Sequence, residues 1–90
     1  MSKEERIEGI KLIEAEIRKS FSAEGKDVTD IEWTSVKGGD PLNADNVNIN
    51  IKSNGKSYDI SNLSREALED YPGGVGNEKL NSIIRNLARQ

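Results

Sequence analysis

The side chains in this 90-residue chain that could do chemistry are carboxylates, amides, hydroxyls, lysines and arginines, because it contains no cysteine and no histidine. Without histidine the usual general base near neutral pH and the commonest metal ligand are both missing. Without cysteine there is no disulfide framework and no thiolate metal site. A nucleophile–base pair would need Ser or Thr with Lys, and acid–base work would need paired carboxylates. The best pair is Asp30 and Glu32, with Asp27 close by; two residues apart, they share one face of a strand. Carboxylates on an open strand face stay solvated unless a pocket raises one pKa. A chain this short also offers little room for a pocket of about 300 Å³ or more. The reading is a protein that is not an enzyme, with no cofactor and no small-molecule substrate.

Two further motifs carry a weaker signal. Asp40, Asn43, Asp45 and Asn46 place oxygen ligands at a spacing that suits Ca²⁺. The EF-hand loop, however, needs a central Gly and a terminal Glu, and both are missing. Asx side chains satisfying their own loop backbone are the simpler reading, and no metal is expected. Gly73-Gly74-Val75-Gly76-Asn77 stands ahead of a helix, where backbone N–H groups can meet an anion. It lacks the preceding strand of a dinucleotide fold and the Gly-Lys-Ser/Thr of a phosphate loop, and it reads as a joint between helices.

The elements that position these residues follow from periodicity. Residues 3–22 read as an amphipathic helix, with Ser2 and Glu5 as a capping box. Ile7, Ile10, Ile13, Ile17 and Phe21 fall within about a third of the helical wheel, and Gly25 is the stop. Leu12 sits opposite that stripe, between Gly9 and Ala15–Glu16. It is either a lone exposed leucine or an anchor for a partner on a face with small neighbours. Residues 28–37 read as a strand with Ile31 and Trp33 facing the core and Trp33 at its centre. Val28 and Val36 do not fit one alternation, which predicts a bulge or an early end.

Val47, Ile49 and Ile51 alternate with Asn48, Asn50 and Lys52, and Asn54-Gly55 follows. A type I′ turn needs φ > 0 at both central residues, and Asn-Gly supplies it. A two-residue turn then opposes Ser53 to Lys56, Ile51 to Tyr58 and Ile49 to Ile60, so the apolar residues of both strands share a face. After a long loop over 38–46 and this hairpin, Ser64 caps a short helix from Arg65 to Tyr71, ended by Pro72. Asn77 caps a final helix with Leu80, Ile83, Ile84 and Leu87 on one stripe.

The expected fold is α+β: a three-stranded antiparallel sheet with helices packed on one face, in the order α-β-β-β-α-α, as a single domain over residues 1–90. Its other face shows Glu32, Thr34, Asn48, Asn50, Lys52, Ser57 and Asp59. Asn is a poor strand former, so Asn48 and Asn50 mark either tolerated surface amides or a polar binding surface. A free strand edge offers a second route to a partner.

The net charge of −3 comes from residues 27–63, where six acidic groups meet three lysines. That distribution disfavours a grip on a phosphate backbone. No apolar run is long enough for a membrane span and the N-terminus does not read as a signal peptide, so a cytoplasmic protein is expected. The helix–three strands–helix order over residues 4–90 is similar to that of the double-stranded-RNA-binding domain, with Lys52-Ser53-Asn54-Gly55-Lys56 at the place of that family's hairpin. Where the family carries Ser-Lys-Lys-x-Ala-Lys, this chain has Leu63-Ser64-Arg65-Glu66-Ala67-Leu68-Glu69-Asp70, one base and three acids. The rival reading is a nucleic-acid-binding domain of similar topology that lacks the basic motif and uses Lys37, Lys52 and Lys56 at one end of the sheet with Arg65. The leading expectation is instead a small protein-interaction module (an adaptor, inhibitor or self-association domain). It would bind a protein partner or form a homodimer through Leu12, through Glu32, Thr34, Asn48, Asn50 and Asp59 on the sheet face, or through a strand edge.

Overall fold

The hairpin turn sets the register from which the rest of the fold is built. In the computed structural model, which describes residues 3–74 and 77–90, Asn54 and Gly55 both take positive φ, 54° and 79°. The strands they join, β2 (Asn46–Ser53) and β3 (Lys56–Ser64), pair Ser53 with Lys56, Ile51 with Tyr58 and Ile49 with Ile60, as the turn chemistry requires. β1 (Val28–Ser35) pairs antiparallel with β2, giving the sheet order β1-β2-β3. Around the sheet lie α1 (Lys3–Ala23), α2 (Arg65–Asp70) and α3 (Asn77–Ala88). The architecture is therefore the expected α+β arrangement.

Both edge strands carry a bulge. In β1 the register slips between Val28 and Asp30, and the Thr29 hydroxyl donates to the Lys52 carbonyl at 3.1 Å. This and the strand's end at Ser35 resolve the conflict between Val28 and Val36. In β3, Leu63 pairs with Val47 and Ile60 with Ile49, leaving Ser61 and Asn62 opposite Asn48. Asn62 takes φ 60°, a left-handed conformation that Asn tolerates better than most residues. The extra residue turns Leu63 toward the core, where strict alternation would have placed Asn62.

The core joins Ile13, Ile17 and Phe21 of α1 to Val47, Ile49 and Ile51 of β2, Tyr58 and Ile60 of β3, Leu68 of α2, and Leu80, Ile84 and Ala88 of α3, with Tyr71. Phe21 meets Tyr58 edge-on, centroids 5.1 Å apart at 84°. α1 ends in a Schellman motif: Gly25 has φ 74°, its N–H donates to the Ser22 carbonyl and the Lys26 N–H to the Phe21 carbonyl. Lys26 then reaches over the Tyr58 ring and donates its ammonium to the Ala88 carbonyl at the end of α3. At its other end α1 crosses α2 closely. A Cβ on the buried Gly9 would lie 2.0 Å from the Leu68 carbonyl oxygen, and Arg6 pairs with Glu69 at 2.8 Å.

Several expectations need correction. Trp33 is not the centre of the core; it is half-buried on an edge strand, packed against the core from the side. Its indole N–H donates to Glu14 of α1 at 2.7 Å, so the polar atom of the ring stays at the rim. The α2 helix ends at Asp70 and continues as a 3₁₀ turn over Tyr71–Gly73 that contains Pro72. Ser64 caps α2 as expected, accepting from the Ala67 N–H at 3.1 Å. Asn77 is the first residue of α3 and not its side-chain cap, since its buried Oδ1 has no hydrogen-bond partner among the described residues. Along α3, Ala88 is buried and Ile83 is exposed. The expected Ser2 cap and the Val75-Gly76 part of the glycine joint lie outside the described residues.

Candidate functional site

The outer face of the sheet presents the residues expected there, in rows fixed by register. One row runs Asp30–Lys52–Ser57, the next Glu32–Asn50–Asp59, and the third Thr34–Asn48 followed by the β3 bulge. The two amides that looked out of place in a strand serve the sheet itself. Asn50 Nδ2 donates to Asp59 Oδ1 at 2.8 Å. Asn48 Oδ1 accepts from the backbone N–H of Asn62 at 2.9 Å, satisfying a donor that the bulge takes out of the ladder. Glu32 and Thr34 are exposed on this face. The register therefore gathers Glu32, Thr34, Asn48, Asn50 and Asp59 into one flat polar surface.

Leu12 lies apart from them, on α1, 37% exposed. Its expected small neighbour Gly9 is buried under α2, so the side of Leu12 toward Gly9 is already occupied.

The four cations of the nucleic-acid reading do not share one end of the sheet. β1 ends opposite Val47 while Lys52 lies beside the hairpin turn. Lys37 and Arg65 thus stand at one end of β2 and Lys52 and Lys56 at the other, separated by about 20 Å at the rise of a strand. Arg65 is moreover paired with Asp45 at 3.3 Å. The loop oxygens weighed as Ca²⁺ ligands have partners in the chain: Asp40 accepts from the Leu42 N–H at 3.0 Å and from Asn43 Nδ2 at 3.2 Å. Asp30 and Glu32 are both exposed. Tyr71 is buried in the core. Burial, then the nearby Glu16 carboxylate, raise its phenol above the ordinary value of 10.0, and its hydroxyl donates to Asn81 Oδ1.

The feature that the residue pattern did not reveal is a groove of about 370 Å³ between β3, α2 and α3. Ile60, Leu63, Ala67, Leu80 and Ile83 supply its apolar lining, and among the described residues Lys79 is its one charged residue. It runs beside the β3 edge that has no strand partner. Ile83 belongs to the apolar stripe of α3 by spacing, yet it is 39% exposed. The core selects Leu80, Ile84 and Ala88, one residue every helical turn, and Ile83 is turned about 100° from Ile84 around the axis. The width of the stripe was the available signal: with Ala88 added it is too broad for one helix face to bury completely.

No protein-family model matches this chain, and no curated protein and no solved structure is similar enough to count as a match.

Proposed function

We propose that this protein is a small non-catalytic protein-interaction module, working in the cytoplasm, that takes up an extended segment of a partner along the free edge of β3. The observation that carries the reading is Ile83, a large apolar side chain left exposed in an apolar groove beside an unpaired strand edge. An edge strand offers unpaired backbone donors and acceptors, and adjacent apolar pockets give specificity for alternate side chains. The outer sheet face supports binding less well: two of its rows are already cross-linked by Asn50–Asp59 and Asn48–Asn62, and it offers no large apolar side chain for a central anchor.

The test is capture of partners by the tagged protein, with and without nuclease, in three forms: unaltered, Ile83→Ser and Leu12→Arg. A stoichiometric partner that survives nuclease, is lost in Ile83→Ser and is kept in Leu12→Arg is the expected result. A partner lost only in Leu12→Arg moves the site to α1. Enrichment that disappears with nuclease replaces the reading with nucleic-acid binding.

A further inference from the structure

Resting on the edge-binding reading above, we infer that the segment docked on β3 is acidic: apolar at alternate positions, with carboxylates where it passes Lys79 and Lys56. The argument is charge complementarity along the path. A fourth strand sets one residue against the bulged pair Ser61 and Asn62, as β2 does with Asn48, and otherwise alternates, so every second side chain points to the helix side of the sheet. On that side it meets Ile60, Leu63, Leu80 and Ile83, and the charge it meets in the groove is Lys79. At the start of β3, Lys56 lies on the same side, its ammonium 5.8 Å from the centre of the Tyr58 ring.

The acid of β3 itself does not counter these cations. Asp59 points to the outer face, where Asn50 donates to it. Arg65, the first residue of α2 just past β3, is engaged by Asp45. Carboxylates placed on the helix side of an incoming strand thus gain attraction, whereas lysines there face like charge. Apolar positions between them cover Ile83.

The experiment uses two synthetic nine-residue peptides that alternate Val and Thr, matching the length of β3. One has Glu at both ends and the other Lys at both ends, so that either strand direction places a charge at each end of the edge. Binding is read by fluorescence anisotropy of a dye on each peptide. The Glu peptide is expected to bind at least tenfold tighter at low salt, with the ratio shrinking as salt screens exposed charge. Lys79→Glu, a change at an exposed position, is expected to reduce that ratio severalfold. Equal binding of the two peptides, or preference for the Lys peptide, overturns the acidic partner while leaving edge binding intact. Binding of neither peptide overturns both. Loss of binding in Ile83→Ser places the peptide in this groove, and unchanged binding in that variant overturns the assignment.

Discussion

The two edges of the sheet meet the same hazard differently. β1 and β3 each lack a strand partner on one side and each carries a bulge. On the β1 side the large residue beside the edge, Trp33, is drawn against α1 and tied there by its indole N–H on Glu14. On the β3 side the neighbouring helix leaves Ile83 open above the groove. A bulge twists and interrupts an edge, and since both edges carry one, the difference between them lies in what packs beside each. The comparison leaves the large side chain beside β1 tied to a helix and the one beside β3 open, and on the proposed reading β3 is the edge that binds.

Substitutions on the two sides separate sealing from availability. Trp33→Ala is expected to have the largest effect, a loss of about 2–4 kcal/mol, somewhat below that of a fully buried tryptophan because the ring is half-exposed. Urea denaturation followed by circular dichroism measures it, since the variant has no tryptophan to report on. A loss under 1 kcal/mol would mean that the β1 side is not sealed by this residue. Gly9→Ala places a methyl against the Leu68 carbonyl and forces α1 and α2 apart, at an expected cost of about 1–3 kcal/mol. Because α2 follows β3 directly, hydrogen exchange should quicken in α2 and at the end of β3 and stay unchanged in β1. Uniform quickening would deny the two edges independent support.

Asn48→Ala removes the acceptor for the Asn62 N–H in the β3 bulge, an expected cost of about 1 kcal/mol. Tyr71, packed between the helices, has its phenol pKa raised by burial and by Glu16. The stability this contributes is complete below the phenol's ordinary value of 10.0 and is lost as pH rises from there through the folded-state pKa, because the unfolded state releases its proton first. Thermal melts should fall over that alkaline range more steeply than those of Tyr71→Phe. The smallest effect is expected for Ile83→Ser, within about 0.5 kcal/mol, with partner binding lost. A stability cost as large as that of Trp33→Ala would show that Ile83 belongs to the core, and the β3 edge would then be sealed too.

Local rules explain which of these features the residues reveal. Asn54-Gly55 determines its own turn, and the turn determines the pairing of Ile51 with Tyr58 and Ile49 with Ile60, because all of it is decided within a few residues. Gly25 as a helix stop and Ser64 as a cap are legible for the same reason. Trp33, Ile83 and Gly9 are not, because their surroundings depend on where helices distant in sequence cross. Gly9 is a weak helix residue by propensity, and only the approach of Leu68 explains it. The groove beside β3 exists because α3 turns Leu80, Ile84 and Ala88 into the core and leaves Ile83 outside it, a choice that spacing alone leaves open.

The ties of α1 also have a temporal meaning. Arg6 finds Glu69 across 63 residues and Lys26 finds Ala88 across 62, whereas the β2–β3 hairpin closes over a two-residue turn. At about 5–20 residues per second of synthesis, α1 leaves the ribosome several seconds before the chain that will cover Ile13 and Ile17 exists. The hairpin can form within microseconds of its own emergence and offer Ile49, Ile51 and Tyr58 as a first apolar surface for the waiting helix. On this timing the hairpin is expected to form first and α3, whose Ala88 carbonyl takes the Lys26 ammonium, to complete the core last, with Ile83 left open beside β3.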